Sequence, residues 1–219
     1  MLQPKTIQFL KELSKNNNKP WFDEHRKDYE AAKKDFEQFT ESMMDDMRPL
    51  VPELEGQRAK DLVFRIFRDV RFSKDKTPYK PNFGAAFSRG GKKDEGAGYY
   101  LHIEPGGKCF AGGGIWMPDG PMLKKIRQEI DYNFQQFQDI LNEKSFKNLF
   151  TQVDGESLSR PPQGYEADNP AIEYLKLKSF TVGTPIPDKE LTDKAFNKKV
   201  VEIFTVMKPF LDFMNEAVG

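Results

Sequence analysis

The chain has 219 residues, 34 basic and 34 acidic side chains, and a pI near 6.8. This neutral balance argues against nucleic-acid binding through bulk charge, because such domains usually carry a clearly basic overall charge. The 19 Phe, 7 Tyr and 2 Trp residues supply large apolar side chains for a core, which argues against a disordered chain.

Helical spacing dominates the first quarter of the chain. Ile7, Leu10 and Leu13 predict a first helix, and Pro20 stands where the first position of a second helix would be. A stripe of apolar residues from Trp21 to Met47 predicts that this second helix is long and continuous.

The middle of the chain has the pattern of strands. Four short aromatic or β-branched segments, at 62–67, 82–87, 98–104 and 108–116, are separated by Gly and Pro turns, which predicts an antiparallel meander.

Helices return in the last part of the chain. They are predicted from about Pro121, through Phe134, from Asn169 and after Asp193. A short strand near Phe180 adds an edge to the sheet, and Pro209 is expected to kink the last helix. We therefore predict a single α+β domain, 1–219, with a central, mainly antiparallel sheet: helical 1–55, strand-rich 60–117, and helical 119–219 with a short strand near 180.

The run "RIFRDVRFSKDKTPYK", residues 65–80, contains six Lys or Arg and two Asp. Arginine offers forked donors and lysine offers mobile point charges, and both suit phosphate or carboxylate groups. The candidate ligand-binding residues in this block are Arg65, Arg68, Asp69, Arg71, Lys74, Asp75, Lys76, Tyr79 and Lys80.

If residues 64–72 are extended, Arg68 lies on the apolar face and needs a carboxylate or a bound anion. An internal ion pair to Asp69, Glu104 or an acid of the long helix is the alternative to an anion site. We expect the chain to bend near Arg68–Val70 and to bring two arginines and Lys74 or Lys76 around one concavity. Arg68→Leu is then expected to abolish binding with the fold intact, and a change at Lys92 to have almost no effect.

Tyr100 and His102 complete the candidate ligand-binding set. If Pro105 and Gly106 form a two-residue turn, His102 lies opposite Cys109, and small neighbours leave room for a pocket above the polar face of this strand. The glycine triplet 112–114 lacks the spacing of a phosphate-binding loop, so close approach of another backbone is the favoured interpretation.

Known catalytic patterns are mostly missing from the sequence. With two His and one Cys, no zinc-like ligand cluster is expected, and the catalytic residues and cofactor are left unknown. Cys109 is interpreted as a core residue, and Trp21 and Trp116 as aromatics that close the core. Acid–base chemistry by Asp69, Asp75, Glu104 or His102 stays open.

Four runs in the chain resemble the bacterial family known as domain of unknown function 2461. They are "NNNKPWFDEHRKDYE", "FRIFRDVRFSKDKTPYKPNFG", "FAGGGIWMPDGPMLKKIRQEID" and "RPPQGYEADNPAIEYLKLKSF". The resemblance covers nearly the full chain in the family's order. It implies one domain and directs attention to the same basic block, but it implies no mechanism.

We therefore expect a protein that recognises an anionic small molecule or group through a basic cleft, as an enzyme or as a binding domain. The alternative is a nucleic-acid or acidic-protein binding module that uses the same patch. No apolar run approaches the ~20 residues of a membrane span, no signal-peptide-like run opens the chain, and the one cysteine excludes an internal disulfide, so a cytoplasmic location is predicted. The oligomeric state is left open.

Overall fold

A computed structural model of the chain describes residues 1–90 and 95–219. Its helices are α1 Pro4–Lys15, α2 Lys19–Glu24, α3 Arg26–Met47, α4 Ala59–Leu62, α5 Gly120–Tyr132, α6 Phe134–Asn142, α7 Lys144–Leu149, α8 Ile172–Leu175 and α9 Phe196–Val218. The strands β1 Phe83–Phe87, β2 Gly98–Ile103, β3 Phe110–Ile115 and β4 Phe180–Pro185 form an antiparallel sheet in the order β1-β2-β3-β4. The predicted fold class, an α+β single domain around a mainly antiparallel sheet, is confirmed.

Two compact units can be described within this fold, each with its own core. The first comprises residues 1–90, Tyr100–Ala111 and Pro185–Glu202. Here α3 packs on β1 through Phe36 and Phe83, whose ring centroids are 5.2 Å apart. Large aromatic side chains therefore fill the layer behind β1, as the Phe-rich composition predicts.

The second unit comprises residues 95–99, Gly112–Thr184 and Ile203–Gly219. In its core, α9 packs through Phe204 on Tyr99, with ring centroids 5.0 Å apart, and through Phe213 on Phe137 at 5.2 Å. Pro209 lies inside α9, and the predicted kink there stays a prediction. Within the described parts of the chain, no helix combines the length and apolarity needed to cross a bilayer.

The predicted continuous helix from Trp21 to Met47 is wrong, because the helix breaks at His25. The Trp21 carbonyl accepts the His25 N–H at 3.0 Å and also lies 2.8 Å from Nδ1 of the His25 ring. The imidazole stacks on Trp21 at 4.1 Å between centroids. His25 has φ −98° and ψ 21°, outside the α-helical region, so α2 ends and α3 begins around it.

The predicted strand over 62–67 is also wrong. Leu62 ends α4, and the next residues make two isolated antiparallel bridges, from Val63 to Ala85 and from Phe67 to Tyr79. Between the two bridges lie three residues on one side, 64–66, and five on the other, 80–84. The additional residues fall around Pro81, which has no N–H to donate, so a continuous ladder does not form.

The end of β3 differs from the sequence interpretation at Trp116, whose side chain is 72% exposed and does not close the core. The glycine triplet before it behaves as expected. A Cβ at Gly113 would lie 2.7 Å from the Gly98 carbonyl oxygen, and one at Gly114, which has φ +125°, would overlap the Phe180 carbonyl oxygen. These glycines allow close backbone approach within the sheet, as the sequence predicts.

Candidate anion-binding site

Residues 68–78 form a loop, called the basic loop below, that is closed by backbone pairing at its base. Arg68 donates its N–H to the Pro78 carbonyl at 3.0 Å, and Lys80 donates to Ile66 at 2.8 Å. The chain leaves the extended conformation in a turn in which Ser73 N–H lies 3.4 Å from the Val70 carbonyl. The bend therefore comes just after the predicted segment.

Arg68 is satisfied inside the basic loop. Its guanidinium pairs with Asp75, donates to the Thr77 hydroxyl, and lies 3.4 Å from Ser73 Oγ. The Thr77 backbone N–H, the Arg68 guanidinium and the Thr77 hydroxyl together lower the pKa of Asp75 from 3.8 to about 2. The charge on Arg68 is thus balanced by Asp75, which lies six positions after Asp69 in the chain. The expected partners, Asp69, Glu104 or an acid of the long helix, do not pair with Arg68 among the described residues.

Arg71 has a separate partner. It forms a bidentate ion pair with Asp69, in which Nε donates to Oδ1 at 3.0 Å and Nη2 donates to Oδ2 at 2.7 Å. Lys76 donates to the Val70 carbonyl at 2.9 Å, while Lys74 is exposed and makes no ion pair among the described residues. Because each loop arginine has its own carboxylate, the contacts do not support an anion shared by Arg68 and Arg71. Lys92, the expected neutral position, lies outside the described residues.

Tyr79 belongs to the core rather than to an open surface. Its side chain is 4% exposed and stacks on Phe22 with ring centroids 3.9 Å apart. The bridge to Phe67 then anchors the base of the basic loop on this aromatic cluster.

Lys80 and Arg65 form a second group of basic residues with a different environment. Lys80 is half-buried, and its Nζ lies 5.7 Å from the centroid of the Phe64 ring. Burial, followed by the charges of Arg65 and Arg68, lowers the pKa of Lys80. Across residues 1–90 and 95–219, neither Lys80 nor the exposed Arg65 has a carboxylate within ion-pair distance.

Tyr100, His102 and Glu104 share one face of β2 and its continuation. His102 Nε2 lies 3.2 Å from Glu104 Oε2, while His102 Nδ1 lies 3.1 Å from Asn82 Nδ2 and 3.2 Å from Tyr100 Oη. These partners assign the neutral tautomer in which Nε2–H donates to the carboxylate and Nδ1 accepts. Lys108 also binds Glu104, at 2.7 Å.

Aromatic rings surround this polar face. His102 stacks on Phe110 with centroids 4.9 Å apart, and Tyr100 lies 5.7 Å from Phe110 and 5.9 Å from Phe64. The predicted pairing of His102 with Cys109 is therefore wrong. The turn spans three residues, 105–107, so the register shifts and Phe110 covers the space that small residues were expected to leave open.

Burial sets the protonation states of the polar face. Burial is the largest single influence on His102 and lowers its pKa, the hydrogen bond and charge of Glu104 raise it, and the charges of Lys108 and Lys80 lower it, so that the net pKa is lowered. Burial and the Glu104 charge raise the pKa of Tyr100 to about 12. At neutral pH, His102 is uncharged and Tyr100 keeps its proton. The Lys80 Nζ lies 5.7 Å from the centroid of the Phe64 ring, and the Phe64 and Tyr100 ring centroids are 5.9 Å apart, so Phe64 neighbours both Lys80 and the polar face.

We call the combined set the Lys80 site, defined as Arg65, Lys80, Asn82, Tyr100, His102 and Glu104. Four of these residues are ligand-binding candidates predicted from the sequence. Asn82 was not predicted, because it reaches His102 only through tertiary pairing, and Glu104 was predicted only as an ion-pair or acid–base alternative. The alternation Tyr100, His102, Glu104 along one strand is the signal that groups Glu104 with the other two.

A groove of about 590 Å³ lies within the second unit, between α6 and α9. Its polar lining includes Asp139, Asp212 and Glu216, and its floor includes Phe213. Three carboxylates repel anions, so the groove does not correspond to the binding chemistry expected from the basic block.

A family model described as "Conserved hypothetical protein (DUF2461)" matches residues 5–213. The chain belongs to this family. The match spans both the basic loop and the Lys80 site, and it bears out the resemblance drawn from the four sequence runs. No curated protein and no solved structure matches the chain significantly.

Proposed function

We propose that the protein recognises an anionic, phosphate- or carboxylate-bearing small molecule or group through the Lys80 site. One observation carries the proposal: among the described residues, no carboxylate lies within ion-pair distance of Arg65 or of the half-buried Lys80, although both loop arginines have one. Cations without an internal ion pair are available to a ligand. Lys74 also lacks an ion pair, but it is exposed, so water already solvates its charge.

The electrostatics of Lys80 support this assignment. A lysine among like charges and partly removed from water is less stable in its charged form than one in solution. A bound anion would offset both effects by supplying the missing opposite charge. The forked guanidinium of Arg65 offers paired donors to phosphate or carboxylate oxygens, and Lys80 adds a point charge.

Calorimetric titration of the whole chain with inorganic phosphate and with acetate tests the proposal. Lys80→Met should weaken binding about tenfold or more, since a hydrogen bond to a charged group contributes about 1.5–3 kcal/mol. Arg71→Met is the matched control, because Arg71 is exposed and already paired with Asp69, and it should change affinity by less than about twofold. Equal losses in the two variants, or no binding of either anion by the wild type, would contradict the proposal.

One observation favours the alternative, a binding module for nucleic acid or an acidic protein. Phe72, at the tip of the basic loop, is 96% exposed, and the Arg71 guanidinium lies 5.9 Å from its ring centroid. An exposed ring beside cations suits stacking on unpaired bases. Under this alternative, Phe72→Ala would weaken binding to a single-stranded oligonucleotide with a steep salt dependence, and Lys80→Met would have little effect.

A cytoplasmic location fits the same proposal. Cys109 is free and buried, and burial raises the pKa of its thiol to about 11. A protein with one unreactive thiol and no disulfide needs no oxidising compartment.

A further inference from the structure

His102 stands between hydrogen-bond partners of opposite kinds. Its Nε2 faces the carboxylate of Glu104, which accepts a hydrogen bond from Nε2–H in either charge state of the ring. Its Nδ1 faces two groups at once, the Asn82 amide at 3.1 Å and the Tyr100 hydroxyl at 3.2 Å. The neutral ring has one lone pair at Nδ1, so two donors compete for one acceptor.

We propose that His102 takes up a proton when an anion binds at the Lys80 site, and that the Tyr100 hydroxyl then turns from His102 towards the anion. This inference rests on the proposed function and adds the regulation of that site. It assigns His102 and Tyr100 to ligand binding, beyond the role of Arg65 and Lys80.

The Tyr100 hydroxyl and the Asn82 amide, which both donate to Nδ1 of the neutral ring, can each become a hydrogen-bond acceptor. When the ring is protonated, Nδ1–H becomes a donor, and the Tyr100 oxygen can accept from it. The Tyr100 O–H is then released from His102 and is available to donate elsewhere. Rotation of the Asn82 amide presents its carbonyl oxygen as a second acceptor. The proton comes from solvent, and Glu104 stabilises the imidazolium at Nε2.

The charges that face His102 come from three segments. Glu104, directly after β2, favours the imidazolium, while Lys108, between β2 and β3, and Lys80, before β1, oppose it together with burial. In the free protein the balance favours the neutral ring. An anion held by Lys80 offsets the field of that lysine at the His102 ring, so the balance moves towards the imidazolium. The site then carries a third positive charge, which favours a dianion over a monoanion.

Sulfate is the probe for this coupling, because it is a dianion that does not titrate near neutral pH. Calorimetry in two buffers of different ionisation enthalpy, between about pH 5.5 and pH 8, measures both affinity and proton exchange. We expect an uptake of up to one proton per sulfate and an affinity that rises as the pH falls, by at most about tenfold per pH unit. His102→Asn should abolish the proton uptake and the rise in affinity, with a circular dichroism spectrum like that of the wild type.

Tyr100→Phe separates the two halves of the inference. It should retain proton uptake and lose part of the affinity gained at low pH, because the ring can still be protonated but the hydroxyl donor is gone. Arg71→Met should behave as the wild type in both measurements. Sulfate binding without proton exchange, or proton uptake that persists in His102→Asn, would overturn this inference and leave the proposed function standing. Failure of the wild type to bind sulfate, phosphate or acetate would overturn both.

Discussion

Gly84 determines where the Tyr100 ring can lie. A Cβ at this position would overlap Tyr100 Oη and approach the ring carbons to 3.0 Å. The ring is confined by Phe64 and Phe110, so it cannot move away without cost. We predict that Gly84→Ala lowers the free energy of unfolding by about 1–3 kcal/mol, measured by urea denaturation, and weakens sulfate binding by displacing Tyr100.

Gly120→Ala is the control for this substitution. Gly120 is the first residue of α5, and no atom lies within 4 Å of the position of an added Cβ. Its effect on stability should be small or favourable, because alanine restricts the unfolded chain more than glycine does. A Gly84→Ala protein as stable as Gly120→Ala, with unchanged sulfate affinity, would show that Tyr100 is not held by this contact.

At the scale of elements, the basic loop is held by Arg68 and Asp75. The pKa of Asp75 is lowered from 3.8 to about 2, so its contribution to stability is present above the unfolded value and is lost as the pH falls through about 2. We predict that Arg68→Leu raises the pKa of Asp75 only partway to its ordinary value, since the Thr77 N–H, the largest cause, remains. An NMR titration of the Asp75 carboxyl measures this shift.

The Arg68→Leu variant also tests whether Arg68 binds the ligand directly, as the sequence predicts, or instead closes the basic loop. If Arg68 closes the loop, Arg68→Leu should increase proteolytic cleavage within residues 69–76 and leave most of the phosphate affinity. Complete loss of phosphate binding with no change in cleavage would instead place Arg68 at the ligand.

The glycine triplet of β3 provides a test of sheet packing. Gly114 has φ +125°, and its added Cβ would overlap the Phe180 carbonyl and lie 2.8 Å from Thr181 Cα. Gly114→Ala should lower the free energy of unfolding by at least about 2 kcal/mol, from backbone strain and overlap together. Gly107→Ala, with φ +78° and open space around it, carries strain alone and should cost less. Equal losses of unfolding free energy in Gly114→Ala and Gly107→Ala would show that the overlap with Phe180 adds nothing to the backbone strain.

Elements set by local sequence were the ones that could be predicted. The apolar period of Ile7, Leu10 and Leu13 predicts α1, and Pro121 predicts the start of α5, which the structure places at Gly120 with Asp119 as its cap. Residues 62–67 have the composition of a strand, but pairing depends on the distant segment around Pro81 and is not encoded locally. The register of β3 depends on the length of the turn at 105–107, which the sequence does not determine. The stacking of Phe110 on His102 follows from that register and could therefore not be predicted either.

Some residues of the candidate site could be predicted from the sequence, and others could not. Excess positive charge is visible in the sequence, so Arg65 and Lys80 could be named. Which cations are neutralised depends on the fold of the loop, because Asp75 reaches Arg68 only after the turn at Val70. Asn82 reaches His102 across 20 positions, and no local pattern indicates that contact.

At the scale of the whole molecule, Cys109 reports on global unfolding. The thiol is 1% exposed, and burial raises its pKa to about 11, so little thiolate exists at neutral pH and reagents have no access to it. We predict that modification by a thiol reagent is slower than that of free cysteine by several orders of magnitude and follows the unfolding rate as urea is added. Rapid modification in native buffer would show that the sheet around β3 opens locally.

We propose that an anion binds to Lys80 and Arg65 and not to the basic loop. The anomalous scattering of selenate, a tetrahedral dianion like sulfate, soaked into crystals of the whole chain tests this proposal. We expect a peak within hydrogen-bond distance of Lys80 Nζ and the Arg65 guanidinium that is absent from Lys80→Met crystals. A peak only at Arg71 or Lys74, or one at Lys80 that persists without its amine, would contradict it.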